Sequence, residues 1–186
     1  MKHKKIYFIV IGVLVLIFGI ILWSYFNREE EVIKNSQEIV PEQEISDEQL
    51  RNTIVSLYFI NKDTGELQIE NRLIDAKKLL NNPYQELIEL WLKGPSNNSL
   101  TNNCSSNVKI NNATIQGNSV VIDLSNEFIE EYQGVDEQIP KTIYGIVNTM
   151  TELTEVDNVK ILINGEDNKY LGTFNLSEKY CRIENE

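Results

Sequence analysis

Five carboxylates lie within one short stretch of this 186-residue sequence: Glu127, Glu130, Glu131, Asp136 and Glu137. Two carboxyl groups can hydrolyse a glycosidic bond when one acts as an acid and the other as a base or nucleophile. A glycosidase also needs a cleft for its sugar, and the small domain predicted below leaves little room for one. Carboxylates also bind calcium, but the stretch contains no Asp-x-Asp-x-Asp-Gly loop. We therefore expect a solvated acidic face here, with no catalytic and no metal-binding residue.

Histidine is nearly absent, and this argues against several classes of chemistry. The one histidine, His3, precedes a long apolar segment near the N-terminus. Serine and cysteine hydrolases and nearly all zinc sites use an imidazole, which the rest of the sequence lacks. The sequence also contains no glycine-rich phosphate loop. We therefore predict a protein without enzymatic activity and without a cofactor.

The two cysteines, Cys104 and Cys181, are far apart in the sequence. If both lie outside the cytoplasm, they allow one disulfide between an asparagine-rich loop and the C-terminal tail. Two free thiols are the alternative, because a bridge requires Cα atoms within about 7 Å of each other, which sequence spacing does not determine.

Residues 6–26 form an apolar segment without a single charge, rich in isoleucine, valine, leucine and phenylalanine. A helix of this length spans roughly 30 Å, the thickness of the hydrocarbon core of a bilayer. Three lysines precede it and a run of glutamates follows it. The positive flank stays in the cytoplasm, and no small-x-small cleavage site follows the segment. We predict a single-pass cell-membrane protein with a cytoplasmic tail at 1–5 and an uncleaved anchor at 6–26.

The part beyond this anchor is strongly acidic. All 28 acidic residues follow the apolar segment and three of the 17 basic residues precede it, which leaves a formal charge of −14 on the outer part. Nucleic acid and anionic lipid bind clustered basic side chains, so neither is expected as a partner. Residues 27–52 are rich in glutamate and poor in apolar side chains, so they cannot bury a core. We predict an acidic flexible stalk at 27–52, a folded domain at 53–177 and a tail at 178–186.

Strands are indicated at both ends of the domain and in its middle. The segment from Thr53 has apolar side chains on both alternating faces, which is typical of a strand buried on both sides. A second strand is predicted at 66–73, and strands at 107–116 and 119–124 flank a Gly117-Asn118 turn. A further strand is predicted at 159–163, with a short one near 170–174.

Two helices are indicated by their caps and apolar stripes. The first begins with Asn82 as cap and Pro83 in the first position, and Gly94-Pro95 ends it. Its core stripe is Tyr84, Leu87, Ile88, Trp91 and Leu92. The second begins near Pro140, and its stripe is Ile139, Ile143, Ile146, Val147, Met150 and Leu153. The order ββαββαβ predicts an α+β fold, a compact two-layer domain with two helices packed on one mixed or antiparallel sheet.

Three segments together carry a resemblance to a known family. They are residues 84–95, a helix that ends in Leu-Lys-Gly-Pro; residues 120–128, a strand that ends in Asp-Leu-Ser-Asn-Glu-Phe; and residues 146–165. In order and spacing they resemble the GerMN, or sporulation and spore germination, domain of Gram-positive bacteria. The resemblance covers about residues 53–177. The motif residues it marks, to which we assign structural roles, are Trp91, Lys93, Gly94, Pro95, Asp123, Ser125, Glu127, Phe128, Asn148 and Gly165.

The resemblance implies a non-enzymatic role at the cell envelope, with the domain extracytoplasmic. For a member that acts in sporulation, this means the space between mother cell and forespore and a scaffold or assembly role. The expected partners are envelope or sporulation-complex proteins, and a homo-oligomer is compatible with that role. The alternative is an extracytoplasmic binding module for a cell-wall component such as glycan. For protein contacts we single out the loop at 96–107 and the sheet edge near Thr53 or Val159.

Overall fold

The computed structural model describes residues 15–24 and 51–183. Residues 15–24 are helical, and we label this segment α1. No helix among the described residues is both long and apolar enough to span a membrane. The rest of the predicted anchor at 6–26, the predicted cytoplasmic tail at 1–5 and nearly all of the predicted stalk lie outside the described residues.

Residues 51–183 belong to a compact unit separate from that of α1. Its first sheet is a hairpin of β1 (Asn52–Asn61) and β2 (Leu67–Asp75), with β3 (Leu100–Thr101) on the other side of β1. All three strands are antiparallel, and β3 pairs only with Ile60 and Asn61 at the end of β1. Gly65 has a positive φ of 72° in the turn between β1 and β2, a conformation that glycine adopts without strain.

The second sheet has the order β4-β5-β6-β9. Its strands are β4 (Ile110–Gln116), β5 (Ser119–Leu124), β6 (Asn158–Ile163) and β9 (Lys179–Cys181). Strands β5 and β6 are parallel and the other two pairs are antiparallel. A small hairpin of β7 (Tyr170–Leu171) and β8 (Phe174–Asn175) is separate from both. The prediction of one sheet is therefore wrong, because the β1–β2 hairpin forms a sheet with β3 and not with β4–β6.

The helices of this unit are α2 (Pro83–Leu92), α3 (Glu127–Glu130) and α4 (Ile139–Met150), with 3-10 turns at Ala76–Leu79 and Asp136–Gln138. As predicted, Asn82 caps α2: its Oδ1 accepts the N–H of Gln85 at 3.1 Å. Gly94 follows with a φ of 82°. Helix α4 provides the crossover that parallel β5 and β6 require. The described residues thus form an α+β fold with helices on mixed and antiparallel sheets.

The predicted stripes of both helices lie in the core. Trp91 and Ile88 of α2 are buried, as are Ile143, Ile146 and Val147 of α4. Leu153 lies beyond the end of α4 and is only partly buried. Two helices of moderate length therefore fix the positions of the surrounding strands mainly through apolar contact.

Candidate interaction surface

The turn after α2, which contains Lys93, Gly94 and Pro95, is held against β2 by an ion pair. The Arg72 guanidinium donates to Glu70 Oε1 at 2.7 Å and to the carbonyl oxygens of Leu90 and Gly94. The Glu70 carboxylate accepts the backbone N–H groups of Ser96 and Asn97, each at 3.0 Å. The Lys-Gly-Pro motif thus has a structural role here, and Lys93 itself is exposed.

Glu70 and Arg72 were not identified from the sequence. Their signal is an acidic and a basic residue two positions apart on one face of a strand. Both side chains are mostly buried, at 13% and 16% exposure. Burial raises the pKa of Glu70, but the N–H groups of Ser96 and Asn97 and the Arg72 guanidinium outweigh it and hold that pKa below 4.5.

We predict that Glu70→Gln destabilises the domain in a pH-dependent way. A carboxyl whose folded pKa is lowered contributes stability above its unfolded pKa, and that contribution is lost as the pH falls through the folded pKa. The difference in unfolding free energy between wild type and Glu70→Gln should therefore be full at pH 7 and shrink below the ordinary value of 4.5. Urea unfolding of both proteins from pH 7 to pH 3 measures it. A difference that stays constant or grows as the pH falls would contradict the assignment.

The other motif residues also hold parts of the fold together. The Asp123 carboxylate accepts the N–H of Gly165 at 2.8 Å, which joins β5 to the turn after β6. Ser125 Oγ accepts the N–H of Lys109 at 2.9 Å, and Phe128 is 1% exposed in the core. The Asn148 side chain donates to the carbonyl of Ile183 at 3.1 Å and accepts its N–H at 3.2 Å, which fixes the C-terminal segment.

The five carboxylates of the acidic stretch do not form one site. Glu131 accepts hydrogen bonds from Ser105 Oγ at 2.6 Å and Asn107 Nδ2 at 2.8 Å. The hydroxyl of Ser125 lowers the pKa of Glu127, the opposite of what a general acid needs. Asp136 and Glu137 are exposed in a 3-10 turn. Within residues 15–24 and 51–183, no three carboxylate, histidine or cysteine side chains come together as a metal site would require.

Cys104 and Cys181 are both free thiols in the structure, so the disulfide considered above is not formed. Cys181 is exposed on strand β9 opposite Asn158, at the start of β6. Cys104 lies in the loop after β3, where its thiol donates to the carbonyl of Asn102 and burial raises its pKa. The two cysteines therefore belong to different parts of the domain.

Of the three predicted contact regions, the structure excludes one and restricts another to its exposed parts. Val159 is not at a sheet edge, because β6 lies between β5 and β9. The inner half of the asparagine-rich loop is buried, and Asn102 Nδ2 donates to the carbonyl of Trp91 at 2.8 Å. The exposed parts of this loop are its two ends, at 96–99 and 106–107. The sheet edge near Thr53 remains a candidate region for protein contacts.

The first half of β1 has an open edge. Ladder bonds from Asn61 N–H to Glu66 and from Ala76 N–H to Arg51 show that the odd-numbered residues of β1 face β2. The even-numbered backbone groups therefore face the other side. There the N–H of Tyr58 is bonded to Thr149 and its carbonyl to Trp91. Among the described residues, no strand lies opposite Ile54 and Ser56 on that side.

A groove of about 210 Å³ runs along this open edge. Its lining is partly apolar and comes from three further elements besides β1. The lining residues are Thr53, Ile54, Val55, Ser56, Leu79, Leu87, Thr149, Glu152 and Leu153. An open strand edge beside a partly apolar groove is an arrangement that can receive an added strand from a partner protein.

The face of the β1–β2 hairpin next to this edge is apolar and exposed. Ile54 and Leu73 are directly opposite each other on the two strands, and they are 66% and 67% exposed. Ile69 on the same face is 47% exposed. Between them, Ser56 Oγ donates to Asn71 Oδ1 at 3.2 Å. We call the open edge, its groove and this pair of aliphatic residues the β1 surface, the candidate interaction surface of the domain.

The domain resembles known proteins in its sequence and in its fold. A family model named Germane, described as "Sporulation and spore germination", matches residues 56–169. The tandem GerMN domains of the sporulation protein GerM from Bacillus subtilis have a TM-score of 0.60 at 20% identity, over 76% of this chain and 50% of that chain. The first GerMN domain of the same protein has a TM-score of 0.54 at 22% identity, over 66% and 91%. The chain thus spans half the length of the tandem-domain structure, and no curated protein matches it.

Proposed function

Since the chain belongs to the Germane family of sporulation and spore germination domains, we propose that it is a membrane-anchored envelope protein that supports an assembly through protein contacts. The family assignment supports a role of the chain in sporulation or spore germination. The β1 surface is the observation that supports the contact role, because it combines backbone groups that no described strand pairs, a groove and exposed aliphatic side chains. Partners are then other envelope or sporulation-complex proteins.

We further propose the arrangement in the cell envelope. The uncharged segment at 6–26 anchors the chain, residues 1–5 stay in the cytoplasm, the acidic stalk at 27–52 lifts the domain, and residues 53–177 lie outside. Strong negative charge on the outer part disfavours attachment to anionic lipid, so the domain stands away from the bilayer surface. In sporulating cells this places it between mother cell and forespore.

Thiol labelling in intact cells tests this orientation. The exposed Cys181 should react with a membrane-impermeant maleimide, whereas Cys104, which is partly buried and has a raised pKa, should react much more slowly until the domain is denatured. The Cys181→Ser protein is the matched control and should lose the intact-cell label. Label that enters Cys181 only after lysis, while a surface control protein is labelled before it, would place the domain in the cytoplasm.

The assembly role is tested in the same cells. Cells without the chain, or with the Ile54→Lys variant, should be impaired in spore formation or germination, and cross-linking of the wild type should recover a protein partner. Normal spores from the deletion strain with no cross-linked partner would contradict the proposal. If the purified chain co-sediments with peptidoglycan and the deletion strain assembles spores normally, the cell-wall binding module is favoured instead.

A further inference from the structure

We propose that the β1 surface binds the same surface of a second copy of this chain, with the two β1 strands antiparallel about a two-fold axis at Ile54. The inference deepens the proposed function by naming the partner of the open edge. Its closing experiment uses the purified chain alone, so that its outcome is separate from any phenotype in cells.

The backbone of β1 is self-complementary over a short stretch. The groups of Asn52, Ile54 and Ser56 face the open edge, and pairing ends at Tyr58, whose N–H and carbonyl are already bonded to Thr149 and Trp91. With Ile54 opposite its own copy, Asn52 lies opposite Ser56 of the second copy. Each backbone donor on this edge then meets a backbone acceptor, which is the pattern of hydrogen-bonded pairs in an antiparallel ladder.

The charge pattern permits a second copy at this edge. The whole of β1, from Asn52 to Asn61, contains no charged residue, although the chain carries a net charge of −11. Two copies can therefore meet along β1 without placing like charges opposite each other. Acidic surfaces of two copies repel each other, which favours contact at an uncharged strand.

The other edge strands carry features that oppose strand addition. The ladder of β4 has a register shift between Ile110 and Asn112, and β9 is three residues long and begins with Lys179. Strand β2 contains Glu70, Arg72 and Asp75. Bulges, short strands and charges are the usual means of blocking edges, and the first half of β1 has none of them.

Side chains on both faces of the joined strands gain contacts. On the exposed face, Ile54 and Leu73 of one copy continue into Ile54 and Leu73 of the other, an uninterrupted aliphatic row across four strands. On the opposite face, the groove beside β1 contains Leu79, Leu87 and Leu153, next to which Val55 of the second copy is placed. Apolar burial on both faces accompanies the hydrogen bonds.

The pairing is short, since it extends from Asn52 to Ser56. Such a contact belongs to the small interfaces of transient complexes. We therefore expect a weak dimer in solution that strengthens where the chain is confined to a membrane, because confinement raises the local concentration.

Sedimentation equilibrium of the full chain in a mild detergent tests the dimer. The wild type should show a concentration-dependent dimer, and Ile54→Lys should weaken it by about tenfold or more, because two lysines would face each other at the axis. Val135→Lys is the matched control, an aliphatic residue that is 58% exposed and lies outside the β1 surface, and it should change the dissociation constant less than about threefold. Thermal unfolding of each variant verifies that it is folded.

Three outcomes would overturn the proposal. Either a wild type that stays monomeric at all concentrations, or equal weakening by both lysine variants, would remove the edge as the contact. Association that neither variant affects would do the same, since it would come from elsewhere in the chain.

Single cysteines test the two-fold geometry. In a chain with Cys104 and Cys181 replaced by serine, Ile54→Cys should form a disulfide-linked dimer on mild oxidation. Paired strands bring opposite Cα atoms to about 5.5 Å, within bonding range. Leu73→Cys should not, because β2 of one copy lies three strand spacings, or about 14 Å, from β2 of the other. Equal cross-linking of both, or of Leu73→Cys alone, would refute the axis at Ile54.

Discussion

Replacing Trp91 with alanine is expected to lower the free energy of unfolding by about 3–5 kcal/mol, the usual cost of emptying a large aromatic site in a core. Trp91 is 1% exposed, and its ring stacks on Phe59 with centroids 6.1 Å apart. Its Nε1 donates to the carbonyl of Tyr58 at 2.8 Å, in the interior. The substitution therefore removes contacts between α2 and β1 and leaves a buried carbonyl without its donor.

Urea unfolding of the full chain measures the loss, with two control variants. Trp91→Phe keeps an aromatic ring near Phe59 but removes the indole N–H, so it should cost about 1–3 kcal/mol. Tyr170→Ala removes an aromatic residue that is 55% exposed, and it should change stability by less than about 0.5 kcal/mol. A Trp91→Ala protein as stable as Tyr170→Ala would show that Trp91 is not a core residue.

The two longer helices, α2 and α4, could be predicted because their signals are local. Asn82, Pro83 and Gly94 mark the ends of α2 within a few residues of each other, and the apolar stripe between them has the helical period. The hairpins follow from the same kind of evidence, since Gly65 and Gly117 occupy turns with positive φ between two alternating segments. Each of these features is determined by residues that are neighbours in the sequence.

The division into separate sheets could not be predicted, because it depends on pairs far apart in the chain. Strand β3 contains only Leu100 and Thr101, too short to leave a periodic signal, yet it closes the end of the first sheet. Strand β9 covers β6 through Lys179 to Cys181, which is why the predicted edge at Val159 is wrong. Periodicity shows that a segment is a strand, but it does not show which strand lies beside it.

The candidate site was predictable only in part for the same reason. An open edge near Thr53 was one of the expected places of contact, and the structure shows that edge beside a groove. The ion pair of Glu70 and Arg72 was not predicted, because charged residues in a strand usually face solvent. Here their carboxylate and guanidinium instead satisfy backbone groups of the turn after α2.

Replacing Gly145 with alanine is expected to destabilise the domain, although alanine is the better helix former. A Cβ at this position of α4 would lie 2.8 Å from the carbonyl oxygen of Tyr58 and 3.3 Å from Trp91 Cζ2. The first is a backbone atom of β1 that cannot move without disturbing the strand. Overpacking of this kind costs about 1–3 kcal/mol, which exceeds the gain in helix propensity of up to about 1 kcal/mol.

A double-mutant cycle with Trp91→Phe separates steric conflict from a general effect on α4. Trp91→Phe removes both the indole carbon nearest to the new methyl group and the hydrogen bond that holds the Tyr58 carbonyl, so β1 gains room to move away from α4. The combined loss of unfolding free energy should then be smaller than the sum of the single losses by more than about 0.5 kcal/mol. Urea unfolding of the four proteins gives the coupling directly. Strict additivity, or a Gly145→Ala protein more stable than the wild type, would show that α4 and β1 are not in close contact. That contact determines where the open edge of β1 ends.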